Sequence, residues 1–146
     1  MGRHMFIKQI SVSLDNVPGA LSKVSEILGN EGVNIRAISV ADTADISTVR
    51  FVVDDPVKAI NILTTSGYAV KETDVVAVET PDHPGGLNAV LKPLKDANIN
   101  VHYLYPYLGR VSDQAIVILG VDKTEEAEKV LKQNWVHTLG KELYDL

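Results

Sequence analysis

The residues best suited to chemistry in this chain sit in a turn that occurs twice. Asp15-Asn16-Val17-Pro18-Gly19-Ala20-Leu21 and Pro81-Asp82-His83-Pro84-Gly85-Gly86-Leu87 each set a Pro-Gly pair between a β-branched run and an amphipathic run. Such a turn opens a helix, and its glycine lets the backbone come close to another group. The N–H groups of a helix's first turn have no intrahelical acceptor and carry partial positive charge, which suits a carboxylate. A side-chain oxygen just ahead of the turn, from Asn16, Asp82 or Asp15, suits an ammonium. The same oxygens can instead cap the helix. Recurrence of the turn, with an asparagine opening the next strand in both copies (Asn34, Asn100), favours binding.

Other chemistries find little support. His83, His102 and His137 are sparse and none forms an H-x-x-x-H pair, so no metal site is expected. Asp82-His83 resembles an acid–base pair only superficially: adjacent loop residues rarely orient one another, and no nucleophile or oxyanion motif accompanies them. His83 reads better as a loop residue touching a ligand. No catalytic residue, enzyme activity or cofactor is therefore expected. The absence of cysteine excludes a disulfide framework, a thiol nucleophile and Cys-ligated metal.

Composition narrows the partners. Lys+Arg 14 against Asp+Glu 19 gives a net charge of −5 over 146 residues, which argues against a mainly electrostatic nucleic-acid binder. No apolar run approaches the ~20 residues of a membrane span, and no secretory signal is apparent. A cytoplasmic, membrane-free protein is the expectation. With hydrophobic residues at 45%, the chain reads as globular. Met1-Gly2-Arg3-His4 reads as a tag remnant ahead of Met5 and is set aside.

The turn is one sign of a longer repeat. Pro18-Gly19-Ala20-Leu21 returns as Pro84-Gly85-Gly86-Leu87, 66 positions later, and Val24, Leu28, Asn34 and Ile35 return as Val90, Leu94, Asn100 and Val101. Further on the offset is 68: Val53-Asp54 matches Val121-Asp122, and Leu63 matches Leu131. The two extra residues belong most naturally in a hairpin. A duplication implies two units, 5–72 and 73–146, each too small to be more than marginal alone.

Each copy reads in the same order. Strands are expected at Phe6–Leu14 and Asp74–Glu79, then helices carrying Leu21, Val24 and Leu28, or Leu87, Val90 or Leu91, and Leu94, on one face. Gly32 and Asn98 mark their ends. Strands follow near Asn34–Val40 and Asn100–Tyr107, then Ser47–Val53 and Gln114–Val121. Asp54-Asp55-Pro56 opens a second helix to about Ser66, and Asp122–Glu126 does so in the second copy. Short strands near Tyr68–Val70 and Trp135–Leu139 close the units, leaving Lys71-Glu72-Thr73 as a connection too short to be a flexible tether, so rigid docking is expected. Pro93 stands where Ile27 stands in the first copy and predicts a kink or early helix end. The fold class is α+β: two ferredoxin-like βαββαβ units, antiparallel sheets with helices on one face.

The pattern Pro-Gly-x-Leu, amphipathic helix, Gly-Val-Asn34-Ile35 and then Ile38 resembles the ACT domain, a small regulatory module of amino-acid metabolism. Asn98-Ile99-Asn100-Val101 repeats the element, and the resemblance spans nearly the whole chain as a tandem pair without a catalytic domain. It implies that modules pair side by side and that an amino acid or related carboxylate binds at the joint. The strand–helix loop of one module and the second strand of its neighbour would hold it. Carried over, the ligand-binding residues are Asp15, Asn16, Val17, Pro18, Gly19, Ala20 and Leu21 with Asn34 and Ile35. The second set is Asp82, His83, Pro84, Gly85, Gly86 and Leu87 with Asn100 and Val101. Asp15 stands three before proline in the first copy, whereas the second has Pro81 there, so the two sites need not be equal.

Tyr103, Tyr105 and Tyr107 alternate and so share one strand face, where the first copy has Ala37, Ser39 and Ala41. A packed interface explains them better than a ligand wall. Base stacking as in RNA-binding modules would call for basic neighbours that are missing. The sequence thus points to an allosteric amino-acid sensor, expected as a homodimer that acts on a metabolic enzyme. The alternative is an assembly module with no effector.

Overall fold

The computed structural model describes residues 6–109 and 114–145; the expected remnant 1–4 lies outside them. Among the described residues the chain divides into two compact units, Lys8–Thr73 and the residues from Asp74 onward, the latter taking in Phe6 and Ile7. The element order is β1 (Ile7–Asp15), α1 (Ala20–Asn30), β2 (Ile35–Asp42), β3 (Ile46–Val53), α2 (Pro56–Thr65) and β4 (Val70–Thr80). It continues with α3 (Gly86–Asp96), β5 (Val101–Pro106), β6 (Ala115–Val121), α4 (Thr124–Gln133), β7 (Thr138–Leu139) and a 3₁₀ turn at Lys141–Asp145.

In the first unit β1 and β2 both pair antiparallel with β3. In the second, β4 lies between β6 and β7, and β5 flanks β6, giving the order β7-β4-β6-β5. This is the ferredoxin-like arrangement the element order implied. The registers repeat residue for residue: Ile35 faces Val53 as Val101 faces Val121, and Ile38 faces Phe51 as Leu104 faces Leu119. Both hairpins carry the same register shift, at Arg36 and at His102. The offset changes from 66 to 68 between these paired strands, so the two additional residues do fall in the β5–β6 hairpin.

The cores repeat as closely. Ile10, Val12, Val24, Leu28, Val33, Val49, Phe51, Ala59 and Leu63 pack together in the first unit. Val76, Val78, Val90, Leu94, Ile99, Val117, Leu119, Ala127 and Leu131 do so in the second. Helical spacing explains the buried pairs Val24/Leu28 and Val90/Leu94, whereas Leu21 and Leu87 are 39% and 41% exposed because their turns overhang the core.

Local chemistry sets the helix ends. Asp55 accepts from the Lys58 N–H at 3.2 Å, with Pro56 in the first turn of α2. Glu125 and Glu126 lie at the positive end of α4. Gly32 and Asn98 adopt φ of 77° and 59° after the first helix of each unit. After the second, Gly67 adopts 94° and its counterpart Trp135 adopts 64° while 95% exposed.

Three expectations need correction. Of the short strand expected at Tyr68–Val70 only Val70 is strand, and it runs unbroken into the strand expected from Asp74 as β4, since Lys71-Glu72-Thr73 contains no residue that breaks extended backbone. The strand expected at Trp135–Leu139 shrinks to Thr138–Leu139, because the left-handed Trp135 cannot enter a ladder. Pro93 does not end its helix: α3 runs eleven residues to Asp96, the same length as α1. Leu94 and the Pro93 carbonyl, which accepts from the Ala97 N–H at 3.1 Å, continue the helix past it.

Candidate functional site

Both strand–helix turns are built on a left-handed glycine. Gly19 (φ 86°) and Gly85 (φ 83°) are the N-caps of α1 and α3, and neither helix receives a side-chain cap. The capping role open to Asn16, Asp82 and Asp15 is therefore not the one they play, because glycine occupies the cap position itself. Each turn closes on its own backbone: Ala20 N–H donates to Val17 O at 3.3 Å, and Gly86 N–H to His83 O at 2.9 Å. Among the described residues the next two amides of each helix, Leu21 and Ser22 or Leu87 and Asn88, find no acceptor. Those amides are the anion-facing groups of a helix start.

The first turn is tied to the β2–β3 hairpin. Asn16 N–H donates to Asp45 O at 2.9 Å, and its side-chain Nδ2 donates to Thr43 O at 3.1 Å and Asp42 Oδ2 at 3.4 Å. In the second turn His83 Nδ1 lies 2.9 Å from Pro84 O, which it can reach only as a donor, protonated at Nδ1. Gly86 meets a demand of close approach: a Cβ there would lie 1.9 Å from the Pro81 carbonyl oxygen. The first copy tolerates Ala20 at this place.

An open groove of about 590 Å³ lies beside the second turn, within the second unit. Asp82, His83, Pro84 and Leu87 line it from the turn side. Leu104, Pro106, Ala115 and Val117 line it from the sheet, and Thr80 and Pro81 stand between. Thr80 is 5% exposed, and its Oγ1 is buried with no hydrogen-bond partner among the described residues.

A model of the ACT domain pair matches residues 5–145. The chain belongs to the ACT domain pair family. A solved structure, protein BT0572 from Bacteroides thetaiotaomicron, is 34% identical with a TM-score of 0.90, covering 98% of this chain and 99% of that one. The ligand-free regulatory subunit of aspartate kinase from Thermus thermophilus shares the fold at 17% identity and TM-score 0.65, covering 89% of this chain and 93% of its own. The Thermus flavus regulatory subunit does so at 16% and 0.61, covering 90% and 94%. No curated protein sequence matches the chain.

Within each unit of this ACT pair, the nominated residues separate into two places. Asn34 and Asn100 lie beyond the far ends of α1 and α3, and eleven helical residues span about 16 Å. There the Asn34 N–H donates to Asp54 Oδ1 and the Asn100 N–H to Asp122 Oδ1, both at 3.0 Å. The same aspartates return backbone N–H bonds to the asparagine carbonyls at 3.1 and 3.2 Å. Asn100 and Val101 line a separate groove of about 540 Å³ with Leu91, Lys95, Asn98 and Lys123. Asn100 Nδ2 also donates to His102 Nδ1 at 3.3 Å. The strand asparagines are thus pinned by their backbones, away from the turn residues of their own unit.

The sheet side of the groove escaped the sequence reading. Thr80, Leu104, Pro106, Ala115 and Val117 border the groove, yet each reads as an ordinary strand residue. The repeat carried one usable signal: Thr80 takes the place of Leu14, a buried core residue of the first unit. In the tyrosine stripe, Tyr105 and Tyr107 are buried, and the Tyr103 and Tyr105 rings stack 6.3 Å apart. Tyr103 also lies over Gly120, where a Cβ would meet its ring. Among the described residues no group of His, Asp and Glu is placed to hold a metal ion, and no helix is long and apolar enough to cross a membrane.

Proposed function

We propose that this ACT pair is a regulatory protein that binds a small amino acid, or a related carboxylate, at its strand–helix turns. The observation that carries this reading is the pair of amides at Leu21/Ser22 and Leu87/Asn88 without an acceptor among the described residues, each preceded in its turn by side-chain oxygens, at Asp15 and Asn16 or at Asp82. The amides suit the carboxylate and the oxygens the ammonium. The other nominated residues frame these groups: Val17, Pro18, Gly19 and Ala20 in one turn, His83, Pro84, Gly85 and Gly86 in the other. Asn34, Ile35, Asn100 and Val101 would serve a turn of another module, since they lie far from their own.

Binding would favour one arrangement of modules, and that difference in affinity would reach a second copy in a homodimer or a partner metabolic enzyme. The test is a thermal-shift and calorimetric panel of the twenty amino acids. A saturable heat with a rise in melting temperature is expected from at least one. It should disappear in Gly19→Val with Gly85→Val, since a β-branched residue does not adopt φ near +85°. Silence across the panel would end the effector reading.

The assembly reading has one observation in its favour. Val17 is 58% exposed, Leu21 39% and Ile46 50%, an apolar display around the first turn. It predicts that the double valine variant loses its oligomer, measured by sedimentation, while no amino acid has any effect on the native protein.

A further inference from the structure

The first-unit core includes Leu14, and every other member of that core has an apolar counterpart in the second unit. Leu14 alone is exchanged for a polar residue, Thr80. The exchange extends across the strands, because Leu14 faces Ser47 whereas Thr80 faces Ala115. The second unit therefore has a smaller, differently polarised pair at the end of its sheet, and the groove lies there.

The hydroxyl is out of place by ordinary rules. A buried hydroxyl nearly always has a partner, and leaving one without costs stability. Thr80 Oγ1 has none among the described residues and is buried within them. Isosteric valine would relieve this at once, yet the position carries threonine.

We propose that this groove is the effector site of the chain, that it holds the side chain of an amino acid with a neutral hydrogen-bonding group, and that Thr80 Oγ1 is the partner of that group. The assignment rests on the amino-acid reading above and gives it a side-chain class and a single unit. Rotation about χ1, which exchanges hydroxyl and methyl on a threonine, turns Oγ1 toward an occupant. Leu87, Leu104 and Val117 pack against the apolar part of the ligand, with exposed Asp82 at the rim for its ammonium. The Leu87 and Asn88 amides take its carboxylate. A charged side chain is disfavoured, because a neutral hydroxyl among apolar walls does not repay its desolvation. An apolar side chain leaves Thr80 unpaired. Serine, threonine, asparagine and glutamine are the simplest members of the class that remains.

The test is calorimetry of the full chain with these four amino acids, and with alanine, valine, lysine and glutamate as controls. Neutral polar side chains should bind most tightly, at one site per chain. Thr80→Val should weaken them about tenfold while leaving any binding of alanine or valine unchanged or stronger. Thr80→Ser should keep the native selectivity. If no amino acid binds, the regulatory reading falls and this assignment with it. If amino acids bind but fill two equivalent sites, prefer charged or apolar side chains, or titrate Thr80→Val as they do the native chain, only the groove assignment is overturned.

Discussion

Gly86→Ala isolates what the second turn requires of its backbone. A Cβ at this position would lie 1.9 Å from the Pro81 carbonyl oxygen, 2.9 Å from its carbon and 3.4 Å from its Cβ. Ordinary contact between such atoms begins near ~3.3 Å, so the strand end and the helix start must separate by more than about 1 Å. Neither partner is a flexible side chain: one is the peptide after β4, the other the first residue of α3. Moving them strains the closing bond from Gly86 N–H to His83 O. Overpacking of this kind costs about 1–3 kcal/mol, set against at most ~1 kcal/mol from the better helix propensity of alanine. A net loss of about 2 kcal/mol is expected, roughly a 30-fold change in the folding equilibrium. Urea unfolding followed by far-ultraviolet circular dichroism measures it as a lower midpoint at unchanged slope. Ala20→Gly, at the same place in the first unit, removes no clash and should lose only about 0.5–1 kcal/mol, through propensity. Equal losses for the two variants, or a Gly86→Ala protein as stable as the native one, would refute the close-approach argument.

Other substitutions probe the remaining devices. Trp135→Gly should stabilise the fold by about 1 kcal/mol in thermal unfolding, because it relieves a left-handed tryptophan at the position the first unit fills with Gly67. Asp55→Ala should cost about 1 kcal/mol through loss of the α2 cap, measured by chemical denaturation. Asp54→Ala and Asp122→Ala each remove the carboxylate that holds a strand-opening asparagine, and each should lose about 1–3 kcal/mol in the same assay. Similar losses for the two are expected from their matching geometry.

How far the sequence could be read follows from which residues act alone. Val24/Leu28 and Val90/Leu94 announce their helices because burial at helical spacing is a local property. The offset between copies placed two residues in the second hairpin, since matched cores force matched registers. Where neighbours decide, the reading failed. Pro93 was expected to kink or end its helix, and the helix does not end there: α3 runs on to Asp96, with Leu94 buried on the same turn. The break expected at Lys71-Glu72-Thr73 is unbroken strand because unit boundaries need not coincide with turns. The turn residues were visible as a motif, but the groove beside them comes from five strand residues whose convergence depends on pairing across β4, β6 and β5. Asn34 and Asn100 were visible as a matched pair, but not that each is held through its backbone N–H by an aspartate twenty or more residues away, a bond that any non-proline residue could make.

The exposure of Trp135 decides what optical experiments can report. It is the chain's single tryptophan, and its indole already meets solvent in the native state. Its emission should therefore be red-shifted before denaturant is added and change little as either core opens, so fluorescence will understate unfolding. The same isolation makes it a clean beacon for docking. A blue shift in this protein would mean that another surface has come to rest on the turn between α4 and β7.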